Sequence, residues 1–495
     1  MKVLLIGGTG VIGEGVVPEL LAHGHVVRLA SRSADEHARE WPGRVETVAA
    51  DVMDTRALEA AAQGCDAAIH VTGIVDESPP GITFERINVV GVRNSLTAAE
   101  RAGIGRFVFV SSLGAERGTS PYHRSKAEGE RLVRGYRREW VIIRPGNVYG
   151  PGDQMMSTLL RLVRTLPAIP LVDRGRWRFQ PIWYRDLGRA LACSVDAEHV
   201  ARRVFDVSGD EITSMANLLD RLAELTGTSP VRVPIPSLVV SGTIRIAEAL
   251  GVRLPINRSK LTMMLEENVI EPPSVNALAA IFGISATPLA DGLSMLADAA
   301  PEQLPGDGVG ALERKRYWAV IQGSRYRAAE LMPILRERIT ELIPIEFAAE
   351  PGTPQLIERG VTLTAALPLR GNIQMRVEEV TSDRFTFATL AGHPLAGVVS
   401  FGAIDVEAGL EFQVTVHAKA ANPFDWVVMQ TVGKGAQQSN WEEVVAKVVA
   451  LSDGTAARGV ESEAVSLDEE ATARTEAWIV ELVSRRKRDE RASAA

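Results

Sequence analysis

Tyr122 and Lys126 stand four residues apart, a spacing that puts both on one face of a helix. Ser112 precedes them at the end of the apolar strand Phe107-Val108-Phe109-Val110. A tyrosine with its ordinary pKa of about 10 is a poor acid or base at neutral pH, but a neighbouring ammonium favours the phenolate. Lys126 brings that charge. Tyr122 is then placed to move a proton to or from a carbonyl or alcohol oxygen, while Ser112 donates a hydrogen bond to the same oxygen. Tyr-x-x-x-Lys also arises on amphipathic helices that do no chemistry, so this reading needs a second element that supplies the redox partner.

That element lies at the start of the chain. Gly7-Gly8-Thr9-Gly10-Val11-Ile12-Gly13 follows the apolar run Lys2-Val3-Leu4-Leu5-Ile6, which makes it a tight turn between a buried strand and a helix. Residues without a Cβ let the backbone approach phosphates, and the free N–H groups and positive dipole end of the following helix solvate an anion. A dinucleotide pyrophosphate is the expected occupant, with a nicotinamide to exchange the hydride. The end of the second strand, His25 to Ser33, sets the choice between dinucleotides. Ser31 occupies the place where NAD-preferring proteins put Asp or Glu, and Arg32 follows it. A 2′-phosphate would meet a hydroxyl and a guanidinium there. NADP(H) is therefore expected in preference to NAD(H), which the same turn also accommodates.

With these residues in order, the chain resembles the short-chain dehydrogenase/reductase superfamily in its extended and atypical (NAD-dependent epimerase/dehydratase) branch, over roughly residues 1 to 300. Further matches are Asp51-Val52, similar to the family's adenine contact, and Ala67 to Gly73, similar to its fourth strand and ribose turn. Asn88-Val89-Val90-Gly91 resembles the motif N-V-x-G, and Arg144 to Gly152 resembles the loop that closes over nicotinamide. The resemblance implies an α/β fold, a Rossmann doubly wound parallel sheet with a small substrate lobe. It implies Ser112, Tyr122 and Lys126 as catalytic residues and Asn147 as a substrate contact. For the cofactor it implies Gly7, Thr9, Gly10, Val11, Ile12, Gly13, Ser31, Arg32, Asp51, Val52, Val71, Thr72, Gly73, Asn88, Pro145 and Val148, together with Tyr122 and Lys126. Glu267 to Leu289 resembles the tail of atypical members related to the complex I accessory subunit that carries NADPH.

At 495 residues the chain is too long for one core. Its 46% hydrophobic and 23% charged content is that of a globular protein, and a net charge of −8 gives no reason to expect nucleic acid. Two cysteines, Cys65 and Cys193, allow no disulfide framework, and the eight histidines show no metal-ligand spacing, so no metal is expected. No apolar run approaches the ~20 residues of a membrane span, and no cleavable signal precedes the first strand. The expectation is a cytoplasmic enzyme, monomer or homodimer, acting on a small molecule.

The texture changes after Pro301 to Gly310, a Pro- and Gly-rich stretch read as an exposed joint. Gln374 to Val380, Arg384 to Leu390 and Leu410 to His417 alternate with the period of two of antiparallel strands, and Trp441, Val444, Val445, Val448 and Leu451 make a helical stripe. A curved sheet wrapped on a helix follows. Phe387 to Gly397 and Ala421-Asn422-Pro423 resemble the DUF1990 family, START-like helix-grip domains, and that resemblance implies an apolar ligand between sheet and helix. The division expected is 1–303 for the dehydrogenase unit, 304–312 for the linker, 313–454 for the helix-grip unit and 455–495 for a tail. The tail, with Arg485-Arg486-Lys487-Arg488, reads as a solvated end.

The sequence thus points to an NADP(H)-dependent oxidoreductase or epimerase acting on a carbonyl/alcohol or sugar-nucleotide-like substrate. Two alternatives stay open: a non-catalytic NADP(H)-binding structural or sensor protein, and a lipid-binding module on a Rossmann scaffold.

Overall fold

The computed structural model describes residues 1–35, 41, 45–77, 81–249, 257–343, 346–347, 356–367 and 371–494. Seven strands form a parallel sheet: β1 (Lys2–Ile6), β2 (Val26–Ser31), β3 (Val45–Ala49), β4 (Ala67–His70), β5 (Arg106–Val110), β6 (Glu139–Pro145) and β7 (Arg203–Val207). Their order across the sheet is β7-β6-β5-β4-β1-β2-β3. The order reverses between β1 and β4, and in such sheets the crevice beyond the strand ends at that point receives ligands. Strands buried on both faces read as continuous apolar runs, as β4 and β5 do. One face is covered by α1 (Val11–Ala22), α4 (Tyr184–Asp196) and their neighbours around Val3, Leu5, Val17 and Leu187. Leu4, Phe107, Phe109 and Val92 fill the other.

α1 and α4 cross almost backbone to backbone. A Cβ on Gly15 would lie 2.3 Å from the Tyr184 carbonyl oxygen, and one on Gly188 would lie 2.1 Å from the Gly15 carbonyl oxygen. A lobe with its own core of Met156, Leu160, Trp183, Leu218 and Leu293 includes α3 (Met156–Thr165) and α5 (Leu289–Ala297).

A further α/β region follows, with a nine-stranded sheet. Its long strands are β8 (Val309–Gln322), β9 (Thr362–Leu367), β10 (Gly371–Val380), β11 (Arg384–Thr389), β12 (Leu395–Val406), β13 (Gly409–Ala420) and β14 (Glu461–Ser466). All pair antiparallel. The period of two is visible in β10: Ile373, Met375 and Val377 enter a core shared with α6 (Ala328–Leu342) and α7 (Lys434–Leu451), whereas Gln374, Arg376 and Glu378 point away from it.

That polar face is buried too, and this differs from the sequence reading. Arg164 of α3 donates to Gln374 Oε1 at 2.8 Å and to the Ala297 carbonyl at 2.9 Å. Arg376 donates to the carbonyls of Asp298 and Ala300. A Cβ on Gly371 would lie 2.2 Å from the Arg164 carbonyl oxygen. Within the stretch read as an exposed joint, Glu302 is 4% exposed at its side chain and pairs with Arg376 and Arg486. The tail is not a solvated end either. β14 pairs with β8, and α8 (Glu469–Ala494) packs Ile479 and Val483 on Ala388 and Val398. The basic run looked solvated because its acidic partners, Glu302 and Glu378, lie more than a hundred residues away.

Candidate active site

The glycine turn folds as its residue types dictate. Gly7 has φ +84°, where an L side chain is strained, and its missing Cβ would meet Thr72 Oγ1 at 2.1 Å. Gly13 touches the Gly8 carbonyl, since a Cβ there would lie 1.8 Å from that oxygen. Gly10, in contrast, faces open space, with no atom within 4 Å of where its Cβ would be. It is also the N-cap of α1, and no side chain bonds the first-turn N–H groups. Among the described residues, two buried hydroxyls beside the turn have no protein partner: Thr72 Oγ1 after β4, against Gly7, and Ser31 Oγ at the end of β2. Open room, uncapped N–H groups and orphaned hydroxyls fit a dinucleotide phosphate chain.

On the adenosine side the structure puts Ser31 next to the loop after β3, where the Ala50 N–H donates to the Ser31 carbonyl at 3.0 Å. Arg32 is exposed. Asp51 turns its carboxylate onto the Met53 N–H at 2.9 Å, and Val52 packs against Gly91. Thr9, Val11 and Ile12 stay partly exposed along the turn, as does Val71 after β4. Pro145 ends β6 and is buried; Val148, just beyond, is partly exposed.

At the other end lies α2 (Pro121–Arg134), which starts where Ser120 Oγ accepts the His123 N–H and Pro121 takes the first helical position. Alternation at the end of β5 separates two serines. Ser112 lies on the Tyr122 side, close enough for its hydroxyl to favour the ionised phenol. Ser111 donates to Glu130 Oε1 at 2.7 Å on the opposite side. Lys126 is 5% exposed; its Nζ donates to the Val110 carbonyl at 3.0 Å and lies 2.9 Å from where a Gly73 Cβ would stand. Asn88 holds the loop after Gly73 in place, accepting from the Ile74 N–H at 2.9 Å and donating to the Ile74 carbonyl and to Ser125 Oγ. The structure thus brings Ser112, Tyr122, Lys126, Gly73 and Asn88 together at the crevice that begins at Gly7 and Thr72.

The electrostatics run against the sequence expectation in one respect. Burial pushes the Tyr122 hydroxyl up to about 12, with the Ser112 hydroxyl acting the other way. Burial also lowers the Lys126 ammonium to about 8, opposed by Glu130. The ammonium donates to the Val110 carbonyl, and desolvation dominates at the phenol. His70, fully buried at the end of β4, is lowered to about 3 by burial and stays neutral.

Asn147 faces the lobe, where its Oδ1 accepts from Asn268 Nδ2 at 2.7 Å. Two acids that frame the site, Glu266 and Glu130, were not singled out from the sequence, whereas Arg144 opens the loop already matched there. Glu266 accepts from Thr119 Oγ1 and from the Ser120 N–H, and its Oε2 lies 2.6 Å from His123 Nδ1, so it ties the lobe to the start of α2. Glu130 and Arg144, both buried, pair at 2.7 Å beneath Lys126. Only Glu130, four residues after Lys126 on the same helix face, carried a local signal.

The NAD dependent epimerase/dehydratase family model matches residues 3–207. The ceramide reductase of Caulobacter vibrioides is 31% identical over 247 residues, which cover 49% of this chain and 76% of that protein. Sterol demethylase protein B of Methylococcus capsulatus is 29% identical over 281 residues, 50% of this chain and 82% of that protein. The mitochondrial NADH dehydrogenase (ubiquinone) 1 alpha subcomplex subunit 9 of Dictyostelium discoideum is 25% identical over 238 residues, 47% of this chain and 66% of that protein. Among solved structures, UDP-glucose 4-epimerase of Thermus thermophilus in complex with NAD aligns with a TM-score of 0.47 at 23% identity, covering 60% of this chain and 98% of that one. A crevice built to take a dinucleotide, the Ser112–Tyr122–Lys126 cluster at its end, the family model and the likeness to the ceramide reductase agree: the chain belongs to the NAD dependent epimerase/dehydratase family.

Proposed function

We propose that this NAD(P)-dependent oxidoreductase or epimerase prefers NADP(H) and acts on a carbonyl or secondary alcohol carried by a large apolar molecule. The observation that carries the chemistry is the placement of Ser112 beside the Tyr122 hydroxyl, with Lys126 buried at the same end of the glycine-lined crevice. The nicotinamide, when bound, gives or takes the hydride, and its oxidised ring adds the positive charge that Lys126 alone does not give Tyr122. Ser112 orients the reacting oxygen, Tyr122 delivers or removes the proton, and Lys126 with Asn88 fixes the ribose side of the site. Exposed Arg32, together with Ser31 where an acid would repel a 2′-phosphate, supports NADP(H).

An apolar substrate is supported by two of the relatives, one named a ceramide reductase and the other a sterol demethylase protein. It is also supported by the second region. Taken as a DUF1990-like helix-grip unit over 313–454, this region borders a cavity of about 420 Å³ with Leu395, Val416, Trp426 and Met429 in its wall and Glu313, Lys315, Lys419 and Gln437 at its polar side. Lys315 Nζ donates to Gln437 Oε1 at 2.7 Å. A long-chain or sterol-like ligand with a polar head fits such a half-apolar lining. We take 1–303 as the catalytic unit.

The test has two arms. Calorimetry is expected to show NADPH bound more tightly than NADH, with Arg32→Asp reversing the order; equal affinities in the parent would refute the cofactor choice. Turnover is expected on ketones of long-chain or sterol scaffolds. Turnover confined to nucleotide sugars would refute the substrate class.

A further inference from the structure

α8 does more than cover the second sheet. Arg486, midway along it, is buried between Glu302 and Glu378, and one turn further on the helix reaches the first region. There Arg491 Nη2 donates to Glu14 Oε2 at 2.8 Å, and its guanidinium lies 3.8 Å from the centre of the Trp41 ring, which is itself buried with Val16 and Val17 of α1. Glu14 is the acidic residue of α1's first turn. That turn offers the N–H groups and the positive dipole end on which a pyrophosphate would rest. A carboxylate in the same turn competes with the ligand for that field and repels it over a distance comparable to the screening length. The chain has put an acid where its cofactor's charge belongs, and has brought the compensating cation from 477 residues away.

We propose that Arg491 is a positioning residue for the dinucleotide: by pairing with Glu14 it removes a negative charge from the surroundings of the pyrophosphate. Cofactor affinity at the first sheet then depends on the docking of a helix that belongs to the second. This rests on the crevice being the dinucleotide site. Because the charge removed lies in the helix turn on which the pyrophosphate common to both dinucleotides would rest, NAD⁺ and NADP⁺ are expected to be affected alike.

The experiment is calorimetric titration of the full chain with NAD⁺ and NADP⁺ at low and high salt. Arg491→Gln is expected to weaken both by roughly threefold to tenfold at low salt and less at high salt, because the uncovered Glu14 charge is then screened. Glu14→Gln is expected to bind at least as tightly as the parent, and Glu14→Gln with Arg491→Gln to recover parent affinity. Three results would overturn the proposal: Arg491→Gln binding like the parent, the double variant staying as weak as Arg491→Gln, or a loss confined to NADP⁺, which would make Arg491 a direct 2′-phosphate contact. A parent chain that binds neither dinucleotide would instead refute the site.

Discussion

Lys126 and Arg486 are both buried cations, 5% and 4% exposed, and they are treated in opposite ways. Arg486 sits in the seam between the two sheets with three carboxylates, at 2.7 Å from Glu378, 2.6 Å from Glu302 and 2.6 Å from Glu490. Lys126 has a backbone carbonyl at 3.0 Å, and the nearest acid on its own face, Glu130, is engaged by Arg144. Burial without an ion-pair partner lowers the ammonium to about 8. The seam satisfies its charges and gains a defined geometry, whereas the site leaves its charge short of partners and thereby ready for a ligand. Orphaned hydroxyls at Ser31 and Thr72 mark the same crevice.

The comparison can be broken most forcefully at the seam. Arg486→Met keeps the apolar stem but removes a cation shared by two buried carboxylates, and a loss of about 3–5 kcal/mol is expected. Chemical denaturation would show it, and an unchanged midpoint would mean that Arg376 and Lys487 already satisfy Glu302. Turnover per folded molecule should persist. At the site the pattern reverses: Tyr122→Phe removes only the hydroxyl, so turnover should drop by about a hundredfold or more while dinucleotide affinity and melting temperature hold. Parent-like rates would remove Tyr122 from the chemistry.

The smallest expected change in stability, at Lys126, sharpens the contrast. Lys126→Met should abolish activity yet stabilise the fold by on the order of 2 kcal/mol below pH 8, since it deletes a disfavoured buried ammonium. The sign follows from linkage. Between about 8 and the ordinary 10.5 the unfolded parent holds a proton that the folded parent has lost, so parent stability rises with pH across this window and the advantage of the variant fades. A variant less stable than the parent at pH 7 would show that the Val110 hydrogen bond outweighs burial.

What the sequence made legible was local. The glycine turn, the Tyr122–Lys126 spacing and Ser112 at a strand end each fit within a few residues, because backbone geometry and helix periodicity enforce them. Alternation in Gln374 to Val380 announced a strand with two different faces; it did not say that the polar face would be buried against α3 and α5. Charges were legible as positions but not as partners. Lys126 was read by its charge without its desolvation, and Arg485 to Arg488 by local density without Glu302 and Glu378. The tie from Glu266 to His123 spans 143 residues and leaves no periodic trace.

The α1–α4 crossing bears on how this chain can change over evolutionary time. Gly15 and Gly188 carry no reactive group, yet a single methyl at either would drive apart α1 and α4, the first of which follows the glycine turn. Sequence drift can rewrite the lobe, and with it the molecules accepted, while these two positions stay as closed to change as Tyr122. The angle at which the cofactor helix enters is thus held by two absent methyl groups.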